Sequence, residues 1–404
     1  MSQYILINRI KVQNANAIAG FTWGFPAITH FLGFIHNVSR KLSVHKSYHD
    51  IHLDGVAVIA HKHHVHTYRT GGDYQFTQSR NPAYRYGEEN KYKIGTPPVI
   101  EEGKMNMTVS LLIAYDGNLG NRTDEFFKWL ENTLLLQRLA GGTILTIKSL
   151  TPEYIESDTD LRKLKRKLLP GFILKDRAEY LTAHYEQLKQ QDEKVELLDA
   201  WLDFSALKQK ARPKSDKITK YFNQLSKSAD SDLENLLAAW QKHLDESYDQ
   251  QAIPERLKIH FKSLNTDELS NENTQSVLKQ WADYCKPIEK IDTDWEYIKK
   301  PEAGYLVPIM TGYKAISKVY KNSEIENTRD HETPVCFVES VHSVGEWLST
   351  HRLSLEQSGR YEKFEDCFWR YSPYKENWYL CTQQPIKQEI SNAVTLKSET
   401  NEFC

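Results

Sequence analysis

The strongest constraint on this chain is the order of its first segments. Tyr4–Val12 is rich in branched residues and predicts a strand. The stretch QNANAIAGFTWGFP follows, and from Pro26 to Leu42 the residues Ile28, Phe31, Leu32, Ile35 and Leu42 recur at helical spacing, with Pro26 suited to the first turn. Ile51–Tyr68 predicts a long strand in which Val56, Val58 and Ala60 alternate with Ala57, Ile59 and His61. Met107–Tyr115 predicts another strand, Thr123–Leu139 a helix stopped by Gly141-Gly142, and Thr143–Ile147 a further strand. Between the two halves, Arg69–Gly103 is polar, aromatic and turn-rich, with Gly71-Gly72, Asn81-Pro82 and Pro97-Pro98, and reads as an excursion built like an extended hairpin.

The order β-α-β, excursion, β-α-β is the ferredoxin-like split arrangement, an α+β fold shared with RNA-recognition domains. We place it over residues 1–150, with the excursion at about 69–103. The sheet of such a domain commonly receives single-stranded RNA, although the fold alone does not settle function. Residues 151–300 read as helical and charged. A capping box at Ser231-Asp232-Leu233-Glu234 precedes Leu236, Leu237, Trp240 and Leu244, and Val277, Leu278, Trp281 and Tyr284 repeat the pattern. After Pro301 the segments YLVPIMTGYKAI, TPVCFVESVHSVGEW and FWRYSPYKENWYLC predict a β-rich region over 301–404.

Charge is distributed unevenly. The formal net charge is −2, yet residues 1–72 hold seven Lys/Arg against two Asp/Glu and nine of the fifteen histidines. Residues 231–300 hold nine against fourteen, and residues 301–404 eleven against fifteen. A basic N-terminal lobe with an acidic remainder fits a protein that touches nucleic acid on one side; the same asymmetry also fits ordinary solvated surface. Five cysteines without a C-x-x-C pair argue for reduced thiols in a cytoplasmic setting. No run is long enough to span a membrane.

The histidines of His61-Lys62-His63-His64-Val65-His66 invite a metal or acid–base reading. On a strand His64 and His66 share one face, but no third ligand at metal spacing accompanies them. No phosphate-cradling loop, nucleophile elbow or papain-like cysteine context is present. The reading is therefore non-catalytic, without metal or cofactor. Binding chemistry has more to work with. Asn14 and Asn16 can reach phosphates or base edges, and Trp23 and Phe25 can stack on unpaired bases or, alternatively, staple the start of the helix. In the excursion Arg69, Arg80, Arg85, Lys91 and Lys93 interleave with Tyr68, Tyr74, Phe76, Tyr84, Tyr86 and Tyr92, the composition of a single-strand clamp, though five acids in residues 73–104 offset its charge. Arg138 with Gly141 and Gly142 offers a close backbone approach or a simple helix stop. Arg162–Lys167 puts five cations in six residues, either a solvated helix face or a second backbone contact.

Several segments together resemble one family. These are QNANAIAGFTWGFPAITHFLGFIH, HLDGVAVIAH, VIEEGKMNMTVSLL, RLAGGTIL, LLPGFIL, YLVPIMTGYKAI, ENTRDHETPVCFVESVHSVGEW and HRL, in order. The chain resembles the Cas-five-class subunit of the type I-F CRISPR surveillance (Csy) complex, the second Csy subunit. The resemblance implies a RAMP-type protein that holds the 5′ handle of the guide RNA, pairs with the large subunit, helps receive target DNA and joins the backbone subunits, without membrane contact. The excursion falls where such proteins carry a thumb. By position, Asn14, Asn16, Trp23, Arg80, Arg85, His351 and Arg352 become the expected RNA contacts. Residues 204–298 do not resemble the family and read as an insert. The rival expectation is a RAMP-superfamily endoribonuclease that matures the guide with a histidine of 61–66.

Overall fold

The computed structural model describes residues 2–77, 79–80, 84–86, 93–95, 99–100, 103–225, 231–246, 253–264, 272–286, 293–328, 330, 332–372 and 378–383. The chain divides into two compact units, unit 1 formed by Met1–Ser205 with Pro301–Cys404 and unit 2 by Ala206–Lys300. It is a mixed α/β protein with one large antiparallel sheet and nine α-helices among the described residues. None of the described helices is long and apolar enough to cross a membrane.

Unit 1 opens with β1 (Ser2–Asn16), α1 (Ile28–Ser43) and β2 (His52–Val65), followed by β3 (Lys104–Asp116) and α2 (Thr123–Leu135). Next come β4 (Arg138–Leu139), β5 (Gly142–Thr146), β6 (Ser149–Ile155), α3 (Asp158–Leu168) and β7 (Phe172–Asp176). Helices α4 (Ala178–Gln191) and α5 (Leu197–Ser205) lead to unit 2, whose elements are β8 (Gln209–Pro213), α6 (Asp216–Leu225), α7 (Ser231–Glu246), α8 (Glu255–Leu264), α9 (Glu272–Tyr284) and β9 (Thr293–Tyr297). Back in unit 1 are β10 (Leu306–Ala315), β11 (Val338–Ser349), β12 (Arg370–Ser372) and β13 (Trp378–Thr382).

The large sheet runs β4-β5-β1-β3-β2-β7-β11-β10-β13-β12, with β6 also paired to β1. Among the described residues every strand pairing within it is antiparallel. Its strands are apolar on both faces, which requires cover on both sides. Ile5, Ile7, Val56, Val58, Val109 and Leu111 meet Phe31, Ile35 and Val38 of α1 and Phe126 and Leu130 of α2. The alternate residues Tyr4, Leu6, Ala57, Ile59 and Leu112 meet Leu161, Leu164 and Leu168 of α3, together with Phe364 and Phe368. Period two on the strands and the amphipathic stripes of the helices thus make three layers.

Unit 2 is a helical bundle around Trp240, Phe222, Phe261, Trp281 and Tyr284. Phe261 and Trp281 stack at 4.0 Å, while the Trp240 indole donates to Thr219 Oγ1 at 3.0 Å, so the buried ring keeps its polar handle satisfied. Antiparallel β8 and β9 form a separate two-stranded ribbon.

Four expectations need correction. The second helix stops at Leu135, and Gly141 is no helix stop: Ala140 and Gly141, both at positive φ (50° and 73°), form the two-residue turn of the β4–β5 hairpin. Pro26 precedes α1, whose N-cap is Ala27. The long strand divides at His66 into β2 and a second strand, Thr67–Thr70. Phe172–Asp176, inside the region read as helical, is a strand that bridges β2 to β11, which short apolar runs permit in either state. In the excursion, Thr67–Thr70 pairs with Asp73–Phe76, Ser79–Arg80 with Val99–Ile100 and Tyr84–Tyr86 with Lys93–Gly95, all antiparallel. Lys91, Tyr92, Asn81-Pro82 and Pro97-Pro98 lie outside the described residues, as do the side chains of Arg80 and Arg85.

Candidate nucleic-acid interface

Between β1 and α1 the chain makes a small antiparallel turn, Ile18–Ala19 against Thr22–Trp23. Gly20 sits at its tip with φ 63°, pressed against the His342 ring, where a Cβ would collide. The Asn16 side chain shapes the approach. Its Oδ1 accepts from Ile18 N–H at 3.0 Å and its Nδ2 donates to Ile18 O at 2.9 Å. Asn14 is exposed in the left-handed region (φ 57°), a conformation asparagine tolerates, with its N–H donating to Asn106 Oδ1 at 3.0 Å.

The β4–β5 hairpin closes on this segment. Asn16 N–H donates to Ala140 O at 2.8 Å, and a Cβ on Gly142 would lie 2.6 Å from Gln13 O, so the second glycine exists to let two backbones touch. Asn14, Asn16, Arg138, Gly141 and Gly142 therefore meet at one edge, and Arg138 is exposed there, its Nη1 donating to Gly141 O at 3.4 Å.

The two aromatic residues divide their roles. Trp23 is half-buried, stacked on Phe76 at 4.0 Å, with its six-membered ring against Gly103, whose missing Cβ would fall 2.8 Å from it. Phe25 lies parallel to Phe31 at 5.5 Å and edge-on to Trp347 at 4.8 Å, tying the start of α1 to its fourth helical residue. Beside both opens a groove of about 530 Å³, with Trp23, Phe25, His61, His63, Phe172 and Trp347 among its walls. Phe172 is 49% exposed. Its role was not readable in the sequence, because the groove is assembled from β2, β7, β10 and β11, strands far apart in the chain.

One wall is fixed by a polar seam where the central strands bulge. Register shifts fall between Ile7 and Ile10 on β1 and between Thr108 and Val109 on β3, and Arg9 has φ 50°. Three successive carbonyls of the Leu169-Pro170-Gly171 loop are taken there: Leu169 O by Arg9 Nη2 at 3.0 Å, Pro170 O by His61 Nδ1 at 2.7 Å, and Gly171 O by Thr350 N–H at 3.0 Å. A carbonyl only accepts, so His61 carries its proton on Nδ1 and its Nε2 accepts from Ser110 Oγ at 2.7 Å. Burial holds this imidazole below the ordinary histidine range, and the nearby Arg9 adds to the effect against the Pro170 hydrogen bond. Both ring nitrogens are engaged in holding strands together. His64 and His66 face each other at 6.3 Å, and no group of three or more ligating side chains that could hold a metal occurs among the described residues.

The other candidates lie elsewhere. Arg69 is exposed with its guanidinium 5.6 Å from the Tyr74 ring. His351 and the half-buried Arg352 belong to the α3 layer, where Lys165 Nζ donates to His351 O at 3.1 Å and His351 Nδ1 meets Ser349 Oγ at 2.7 Å. On α3, Lys163 and Lys167 pair with Asp160 and Glu153 while Leu161, Leu164 and Leu168 are buried, so the cation run is the outer face of an amphipathic helix.

Comparison with known proteins supplies a family. The chain matches the CRISPR-associated protein family Cas_Csy2 over residues 5–244 and 228–381. It is also similar to CRISPR-associated protein Csy2 of Pseudomonas aeruginosa (strain UCBPP-PA14), 29% identical over 367 residues that cover 87% of this chain and 88% of that protein. The chain therefore belongs to the Csy2 family of CRISPR-associated proteins, subunits of the type I-F Csy complexes of antiviral defence.

Proposed function

We propose that this chain is the guide-binding, non-catalytic subunit of its complex: a RAMP-type protein of the Cas-five class that holds the 5′ handle of the guide RNA, pairs with the large subunit, contacts the backbone subunits and helps receive target DNA. The single observation that carries this reading is the aromatic groove beside the Trp23–Pro26 turn, walled by Trp23, Phe25, Phe172 and Trp347. Unpaired bases stack on such rings for roughly 1–3 kcal/mol each, and a loop rich in glycine lets a nucleic-acid backbone approach. The fold supports it as well. Across the sheet the β5–β6 segment, β1, β3 and β2 follow one another, that is the fourth, first, third and second of these strands in chain order, the order of a ferredoxin-like domain. The hairpins after β2 would act as the thumb, and unit 2 as an insert into that plan.

The test is co-expression with guide RNA and the partner subunits, comparing the native chain with Phe172→Ala. Phe172 is half-exposed, so its loss should leave the fold intact while lowering retained guide RNA by about fivefold or more. A native chain that stays free of RNA and partners overturns the proposal; equal retention in both chains removes the groove from it.

A further inference from the structure

The turn that brings Trp23 and Phe25 to the groove is held at its tip by residues outside the groove. Beneath it lies a facing pair of sheet residues, Met310 on β10 opposite His342 on β11, beside the register shift between Met310 and Gly312. Met310 is buried against Ala19 on the turn and Ala27 at its exit. His342 meets the tip: its ring lies 4.2 Å from that of Phe21, and a Cβ on Gly20 would fall 2.4 Å from its Nε2. Trp201 of α5 closes the other side, edge-on at 5.4 Å from Phe21 and 5.6 Å from His342, with its indole donating to Ser343 O at 3.1 Å. Three rings thus join the turn, β11 and α5, and among them only the imidazole titrates.

The two nitrogens of that ring are unequally served. Nε2 is 3.0 Å from Ser340 Oγ, while Nδ1 is shut away from solvent with no hydrogen-bond partner among the described residues. A buried N–H without an acceptor is worse to leave unpaired than a bare lone pair, so the proton sits on Nε2 and donates to Ser340. A second proton would have to go on Nδ1, where nothing accepts it. The groups facing the ring are Met310, Gly20, Phe21, Trp201 and Ser340, none of them charged. The two carboxylates of α5 are engaged otherwise, Asp199 with Glu196 N–H at 2.9 Å and Asp203 with His184 at 2.8 Å. Burial accordingly holds the His342 imidazole below the ordinary histidine range. His61, with partners at both nitrogens, has no such bare atom.

We infer that His342 is a positioning residue: neutral, it seats the tip of the turn and so fixes the Trp23–Pro26 wall of the groove, and a proton on Nδ1 unseats it. His342 lines no part of the groove, so it acts on a ligand only through the turn, and that last step rests on the guide-binding function proposed above. The sign follows from the bare Nδ1. A released ring takes up the proton more readily than a seated one, so the seat is complete above about pH 6.5 and weakens as pH falls below it. At about pH 5.5 a free imidazole is about ten parts charged to one neutral, which bounds the loss of seating at roughly tenfold.

Hydrogen exchange of the RNA-free full chain, corrected for the intrinsic pH dependence of exchange, tests it over residues 17–24, where Gly24 N–H donates to Ala17 O at 2.7 Å. Protection there should fall about threefold to tenfold between about pH 7.5 and about pH 5.5, while β1 and α1 keep theirs. His342→Gln keeps a donor for Ser340 and cannot titrate, so its protection should be the same at both pH values. His342→Ala should lose protection at both. A native chain without the pH response, a His342→Gln chain that still has it, or a fall shared equally by β1 and α1 overturns the inference. In complexes co-expressed with guide RNA at about pH 7.5, His342→Ala should retain about threefold less guide, and His342→Gln most of the native amount. An opened turn with guide fully retained would leave the seat standing and remove the turn from the guide-binding proposal. The exchange readings do not involve Phe172 or RNA, so their failure leaves that proposal standing.

Discussion

Trp23 and Trp295 occupy comparable positions, each on a short antiparallel ladder, and end in different states. Trp23 stands opposite Ile18, stacks on Phe76 and rests on a glycine. Trp295 stands opposite Ala211 and keeps more than half its surface in water. The side chain is the same; what differs is the cover its neighbours supply. In unit 1 the rings near the candidate interface contribute to the fold before they contribute to any ligand, since Phe25 also ties α1 to the sheet through Phe31 and Trp347. In unit 2 the ribbon rings contribute little to the fold. A stability measurement therefore separates the two regions before any nucleic acid is added.

The largest expected effect sharpens this by testing how unit 1 depends on its interior. Arg177, at the end of β7, is buried with Glu346 and reaches Glu362, donating to them at 2.8 and 2.6 Å. Burial pulls the guanidinium pKa down, but the hydrogen bonds from Glu362 and Glu346 outweigh that and raise it, so it stays charged. Arg177→Met strands two carboxylates with no cation between them and should cost about 3–5 kcal/mol. Hydrogen exchange should show the loss over β7 and β11 and leave α6–α9 protected. Loss of protection in unit 2 as well would mean the two units unfold together.

Next in size is the tryptophan comparison itself. Trp23→Ala should cost about 1–3 kcal/mol, from lost burial and the Phe76 stack. Trp295→Ala should stay within about 0.5 kcal/mol, as an exposed substitution does. Equal costs in denaturant titrations would break the contrast and show that the ribbon rings pack in solution.

The same contrast marks what could be read from the sequence. Helical spacing in Ile28–Leu42 and period two in the early strands depend on local geometry, and those elements lie where the pattern puts them. The order α1, β2, β3, α2 was legible for the same reason. Gly141-Gly142 misled, because a glycine pair after an apolar helix looks the same whether it ends that helix or turns a hairpin; the choice was made by Gln13 and Ala15, whose backbone the hairpin meets. Phe172 and Trp347 could not be assigned to a groove without knowing that β7 bridges β2 and β11. The uncovered face of Trp295 depended on which residue of a strand more than eighty positions away stood opposite.

The smallest effect concerns the seam behind the groove. His61 is held neutral, its pKa lowered mainly by burial from the ordinary 6.5. An unfolded chain takes up that proton more readily, so the contribution of His61 is fully present above about 6.5 and is lost as pH falls through and below that value. The loss is limited by the chemistry of the seam. When Nε2 gains a proton it can donate to Ser110 Oγ, whose own hydrogen then turns to Asn8 Oδ1 at 3.2 Å, so every polar atom keeps a partner and only desolvation of the charge remains. His61→Gln cannot titrate. Between about pH 7 and pH 5 the native chain should lose more melting temperature than His61→Gln by no more than about 2 °C. A larger gap would mean that protonation opens the seam rather than rerouting it, and hence that the Leu169-Pro170-Gly171 wall of the groove can move; a gap of the opposite sign would show that His61 is charged in the folded chain.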